Sequence, residues 1–190
     1  MQLLEEKIKT EGQIYPNDVL KVDRFVNHQI DVKFIKELAK EIKDRFHDEP
    51  VTKILTIEAS GIAIAFACAE EYDDCNVVFA KKSASSNMSK DVYTSSLYSY
   101  TRQQEFKISV AKEYLNETDS VLIVDDFLAN GQAMNALLDV CKQAKCHVVG
   151  CTALISKAYQ DGEKIISNQG VHLEVLARIK KMSDGDIEFY

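Results

Sequence analysis

The chain has 190 residues but only two prolines, seven glycines and no tryptophan. So few backbone breakers leave no Pro- or Gly-rich linker, and no low-complexity segment or internal repeat divides the sequence, so a single domain over residues 1–190 is the expectation. Long apolar runs are missing too: none is near the length of a membrane span, and the opening "LLEEKIKTEG" is charged where a signal peptide would be hydrophobic. A soluble cytoplasmic protein without membrane contact is expected. The five cysteines, Cys68, Cys75, Cys141, Cys146 and Cys151, are odd in number and contain no Cys-x-x-Cys pair. They read as reduced core thiols rather than metal ligands or disulfides. Basic charge is scarce, with 23 Lys and Arg against 30 Asp and Glu and a net charge of −7, which argues against a nucleic-acid partner. Lys81-Lys82 and Lys180-Lys181 are local basic spots that could meet an anion. His28, His47, His147 and His172 are scattered without metal-ligand spacing.

What the chain does have is regular periodicity. Residues 3–11 and 31–46 carry helical spacing, the second with Asp31 as N-cap and Phe34, Ile35, Leu38, Ile42 and Phe46 on one face. "KILTIEASG", "IAIAFACAEEY" and "CNVVFAKK" then read as strand, helix and strand. "SVLIVDD", a helix over 131–144 and "HVVGCTALIS" make a second such unit. Each unit implies parallel strands joined by a right-handed crossover. Between them lie the polar, serine-rich "SASSNMSKD" and two alternating segments, "VYTSSLYSY" and "FKISVAK", which predict a mobile loop and a hairpin. The tail predicts a short helix and two more strands, "VHLEVLARI" and "IEFY". The sum is an α/β fold with an open, mainly parallel sheet flanked by helices.

Two turns carry unusual chemistry, "IEASGIA" and "VDDFLANGQA", and both fall at carboxyl ends of strands, where open α/β sheets bind ligands. Residues 129–133 bring Asn130-Gly131 to a helix N-terminus, where unpaired N–H groups and a partial positive charge suit a phosphate. A side chain at Gly131 is expected to fill the phosphate's space. Asp125 and Asp126 suit ribose hydroxyls, a metal ion or a developing cation. A strand-end Asp often merely caps the next helix, and Asn-Gly is a common turn. Their conjunction is what points to a site. The Walker pattern GxxxxGK[ST] is absent, and a receiver domain, which also clusters aspartates, has no use for a second turn such as Glu58-Ala59-Ser60-Gly61.

"VLIVDDFLANGQA" resembles the 5-phosphoribosyl-1-pyrophosphate (PRPP) signature of type I phosphoribosyltransferases. "VLKVDRFVNHQID", "IEASGIA", "VVFAKK" and "LARI" resemble, in order and spacing, the bacterial xanthine phosphoribosyltransferases over nearly the whole chain. The resemblance implies the type I phosphoribosyltransferase fold, with a small hood formed from about residues 1–35 and 157–190. It implies transfer of ribose 5-phosphate from PRPP, accompanied by Mg²⁺, to xanthine, giving xanthosine 5′-monophosphate and pyrophosphate in purine salvage. A guanine or hypoxanthine preference, or a PRPP-binding regulator without catalysis, is the alternative.

Carried over by position, Ala129, Asn130, Gly131, Gln132 and Ala133 would hold the 5-phosphate, with Asp125 and Asp126 under the ribose as the catalytic pair. Glu58, Ser60, Gly61, Lys81 and Lys82 would complete the PRPP contacts. Leu20, Asn27 and Lys157 would meet xanthine, with Phe127 and Tyr159 as candidates to stack on it. No residue is assigned as a direct metal ligand. The family's basic dipeptide matches Lys81-Lys82, and in related dimers this region reaches the neighbouring subunit, so a homodimer is expected. The Ser83-Ala84-Ser85-Ser86-Asn87 stretch is expected to cover the site, because an oxocarbenium-like ribose must be kept from water.

Overall fold

The computed structural model describes residues 1–82, 91–99, 104–183 and 185–190. Its centre is a six-stranded sheet built from β3 (Lys53–Ile57), β4 (Asn76–Ala80), β7 (Ser120–Leu128), β8 (His147–Lys157), β9 (Leu173–Ser183) and β10 (Asp186–Phe189). The spatial order is β10-β9-β8-β7-β3-β4, with only the β10–β9 pair antiparallel. Helix α3 (Gly61–Glu70) links β3 to β4, and α4 (Gln132–Ala144) links β7 to β8. These crossovers leave the β3–β7 boundary in opposite directions. That boundary is therefore the topological switch point, the place where open α/β sheets bind ligands at the strands' carboxyl ends.

Strand β7 shows why the sheet is covered on both faces. Leu122 and Val124 enter one core with Ile54, Leu38 and Ile64, whereas Val121 and Ile123 enter the other with Leu55, Leu137 and Ile108. Successive side chains of a strand point to opposite faces, so an unbroken apolar run needs helices on both. α1 (Gln2–Glu11) and α2 (Val32–Arg45) lie on the first side, and Asp31 caps α2 by accepting from Phe34 N–H at 3.1 Å. On the second side α4 meets an antiparallel pair, β5 (Val92–Ser99) and β6 (Gln104–Ala111). The last helix, α5 (Gly162–Ser167), packs beside α4.

Three features depart from the sequence expectations. A short hairpin, β1 (Gln13–Tyr15) with β2 (Val19–Lys21), and a π-helical turn over Asp23–Asn27 follow α1, where no element was expected. The strand carrying the acidic pair also runs two residues past it, to Leu128. Pairing explains the extension: β3 accompanies β7 only as far as Ile123, while β8 continues to Leu128. Asp125 and Asp126 thus stand where β7 has lost one neighbour but kept the other.

Candidate active site at the sheet switch point

Asp125 is 5 % exposed, and Asp126 is only partly covered. The Asp126 N–H donates to Asp125 Oδ1 at 2.9 Å, tying the two residues together. Burial, then the neighbouring Asp126 charge, drives the Asp125 carboxyl well above the usual carboxylate range; the Asp126 N–H and the Lys82 charge pull the other way. A carboxyl so placed costs free energy to ionise in the free protein. It interacts strongly with any positive charge that arrives, because little water screens it.

Gly131 follows as the N-cap of α4, in the left-handed region at φ 73°, and no side chain caps the helix. The first-turn N–H groups of Gln132, Ala133 and Met134 therefore project from the helix end without side-chain caps, the arrangement that binds an anion. The expectation for a side chain at Gly131 is revised by the packing behind it. A Cβ there would point at the backbone of Gly162, 3.1 Å from its Cα. A Cβ on Gly162 would in turn meet Ala129 O at 2.2 Å. The Gly162 N–H already donates to Ala129 O at 2.9 Å, so the cradle is braced from below by the start of α5.

The second turn approaches from β3. The Glu58 N–H donates to Ala80 O at 3.1 Å, and the Glu58 carboxylate accepts from the Lys82 N–H at 2.6 Å. Ser60 precedes α3 without capping it. Gly61 is needed for packing: a Cβ there would lie 2.0 Å from Thr56 Oγ1. The basic dipeptide divides. Lys82 is tied to Glu58 and its charge reaches Asp125, whereas Lys81 bridges to Ser109 and lines a cleft of about 640 Å³ at the outer edge of β4, with Lys53, Phe79 and Tyr114.

At the other end, Lys157 closes β8, and its Nζ donates to the carbonyl of Asp18 in the β1–β2 turn. Burial holds its ammonium below the usual lysine range, against the opposing charge of Asp18. Leu20 is buried in β2, and Asn27 is exposed at the end of the π-helical turn. Tyr159 is 40 % exposed two residues beyond Lys157, while Phe127 packs partly into the core. Asp18 and Gly162 escape motif reading. Their only trace in the sequence is the turn pairs Asn17-Asp18 and Asp161-Gly162. The Ser83–Asn87 stretch lies outside the described residues.

This geometry has known counterparts. A family model described as "Phosphoribosyl transferase domain" matches residues 21–175. Among solved structures, the adenine phosphoribosyltransferase of Trypanosoma brucei superposes with a TM-score of 0.76 at 16 % identity, covering 92 % of this chain and 79 % of that one. The Giardia lamblia adenine enzyme gives 0.72 at 21 %, covering 87 % and 92 %. These likenesses show the type I phosphoribosyltransferase fold. In sequence, the chain is 48 % identical over 189 residues to the xanthine phosphoribosyltransferase of Clostridioides difficile and 50 % over 190 residues to that of Pediococcus pentosaceus, each match covering both chains completely. The chain belongs to the xanthine phosphoribosyltransferase family. Within this phosphoribosyltransferase, both turns, Asn27 and Lys157 fall inside the span matched by the family model, and Leu20 lies one residue before it.

Proposed function

We propose that the chain transfers the ribose 5-phosphate group of PRPP to xanthine, forming xanthosine 5′-monophosphate and pyrophosphate. The observation that carries the reaction class is the junction of an acidic pair, with Asp125 buried, and an uncapped, glycine-led helix N-terminus at the sheet's switch point. Kinship with the xanthine enzymes carries the choice of base. Residues 129–133 bind the 5-phosphate through N–H groups that have no side-chain cap. Glu58, Ser60, Gly61 and Lys82 line the pyrophosphate side, whereas Lys81 faces the cleft at the outer edge of β4, on the side proposed to meet the neighbouring subunit.

Breaking the C1′–oxygen bond leaves positive charge on the ribose and negative charge on pyrophosphate. Asp125 and Asp126 face the first, and the desolvated Asp125 carboxylate gains the most as that charge grows. Among the described residues no group of three or more His, Cys, Asp or Glu could hold a metal ion. Mg²⁺ would arrive with PRPP, and the carboxylates of the acidic pair are the groups that would meet it. Bound Mg²⁺ would neutralise charge on the departing pyrophosphate. Xanthine lies against Leu20, Asn27 and Lys157, under a hood from residues 1–35 and 157–190 of the one domain. Two ties support the hood: Lys157 to Asp18 O, and the Met1 amine to Leu176 O. Phe66, 64 % exposed on α3, and Phe79, 39 % exposed on the edge strand β4, support a homodimer through that side. The proposed enzyme works in the cytoplasm. Among the described residues, no helix is long and apolar enough to cross a membrane.

Pyrophosphate release measured in parallel on xanthine, guanine and hypoxanthine, with PRPP and Mg²⁺, tests the reading. Xanthine should give the highest kcat/KM. A higher value for guanine or hypoxanthine would reassign the base, and release with none of the three would reject the activity.

A further inference from the structure

We infer that Glu163 is a positioning residue, clamping the first turn of α5 to the end of β8 and the middle of β9 and so fixing the phosphate cradle relative to Lys157. The inference rests on the reading of residues 129–133 as the 5-phosphate site and of Lys157 as a base contact. Ser156 and Arg178 are partners in the β8–β9 ladder. Glu163 sits across both: Oε1 accepts from the Ser156 hydroxyl, and Oε2 accepts from Arg178 Nε at 2.9 Å. Ser156 is fully buried, so turning the carboxylate away would strand its hydroxyl. Lys157 is the next residue along β8.

The chain from this clamp to the cradle is short and stiff. Gly162, adjacent to Glu163, donates to Ala129 O at 2.9 Å, and its backbone fills the space beneath Gly131 so closely that neither glycine could carry a Cβ without displacement. At the far end of α5, Gln169 Nε2 donates to Asn135 Oδ1 of α4 at 3.0 Å. Loss of Glu163 would therefore release the first turn of α5, under the cradle, while the other end stays attached. Phosphate and base are held at opposite ends of the reacting pair. An error in their spacing appears at C1′ and the purine nitrogen, where near-attack geometry decides the rate.

The test compares wild type, Glu163→Ala and Glu163→Gln by steady-state kinetics with each substrate varied, by calorimetric titration with ribose 5-phosphate, and by thermal melting. Glu163→Ala should lower kcat/KM for PRPP by about tenfold or more and weaken ribose 5-phosphate in parallel, with KM for xanthine changed by no more than about threefold. Glu163→Gln keeps an acceptor for Ser156 but loses the charged bond to Arg178, and should fall between wild type and Glu163→Ala. Unchanged PRPP kinetics and ribose 5-phosphate affinity in Glu163→Ala would overturn the role. So would equal losses for PRPP and xanthine with a lowered melting temperature and no recovery in Glu163→Gln, which would indicate general damage. If wild type binds ribose 5-phosphate in a Glu163-dependent way yet turns over no purine, the positioning role stands and the proposed reaction falls. If wild type binds no ribose 5-phosphate, both fall.

Discussion

The proposed phosphate end and the proposed base end of the site are built on different plans. Asp125 to Ala133 are consecutive residues on one strand, one turn and one helix start, so their mutual geometry is set locally. The base end joins Lys157 to the Asp18 carbonyl, 139 positions away, and places Leu20 and Asn27 on short elements of the same N-terminal segment. A local site survives small shifts between elements, because its parts move together. A composite one depends on tertiary packing, and its parts can be re-spaced without disturbing any one of them. In a transferase the first plan suits the substrate common to a whole superfamily, and the second suits the partner that distinguishes one enzyme from another.

If the two ends divide the work in this way, the strongest break should come from the acidic pair. Asp125→Asn and Asp126→Asn keep shape and remove charge. Each should lower kcat by roughly 10²-fold or more while weakening PRPP binding far less, because the carboxylates act on charge that develops only in the transition state. Single-turnover kinetics beside equilibrium binding of PRPP would separate the two effects. Near-normal turnover in both variants would reduce the pair to a structural feature of the strand end.

Lys157→Ala probes the other end and should be milder. Removing the ammonium frees the Asp18 carbonyl that ties down the β1–β2 turn and, on the proposed reading, would leave a purine carbonyl without its donor. Xanthine should weaken by about 1 to 3 kcal/mol with little change in PRPP affinity. Separate titrations with the two ligands would show it. An equal loss for both would erase the distinction between the ends and make Lys157 a brace of the whole crevice.

The same contrast explains what could be read from the chain. The two strand-helix-strand units, the Asp31 cap and the helix starting at residue 132 are written in local periods and caps, and each appears where its residues predict it. The β1–β2 hairpin was missed because three-residue strands carry too little alternation to register, and the turn between them places Asn17 and Asp18 at positive φ, 64° and 58°. The π-helical turn at Asp23–Asn27 has no local code at all; its buried members, Phe25 and Val26, are fixed by the core against α1 and α2. The overrun of β7 past the acidic pair depends on β8 extending further than β3, a relation between strands far apart in the sequence. Lys81-Lys82 reads as one basic spot, yet β4 ends at Ala80 and the chain bends there: Lys81 lines the cleft at the sheet edge, while the Lys82 charge reaches Asp125. Gly162 carries no local signal either, because its contact with Gly131 joins the start of α5 to the turn before α4.

The smallest expected effect is on stability, and it sharpens the comparison by asking whether the ribose end is held in an unfavourable state. In the folded chain the Asp125 carboxyl titrates above its ordinary range, mainly because it is buried and then because Asp126 lies beside it. The folded protein therefore holds this proton more tightly than the unfolded chain. A group of this kind contributes stability that is fully present below the unfolded value, about 3.9 for an aspartate, and is lost as pH rises through the higher folded value. Asn cannot ionise and avoids that loss. Asp125→Asn should then match wild type in melting temperature near pH 4 and exceed it increasingly as pH rises until the folded carboxyl ionises, in protein freed of PRPP and Mg²⁺. Each pH unit over which the folded carboxyl keeps its proton beyond the ordinary range corresponds to about 1.4 kcal/mol. For a chain of this length that is a rise of roughly 3 to 6 °C. Lys157→Ala provides the comparison at the base end: it leaves the Asp125 carboxyl in place, so its melting difference from wild type should lack the rise that the carboxyl produces. If Asp125→Asn instead melts below wild type by the same margin at every pH, the carboxyl is worth more to the fold as a hydrogen-bonding group than it costs as a charge, and the ribose end carries no penalty for its chemistry.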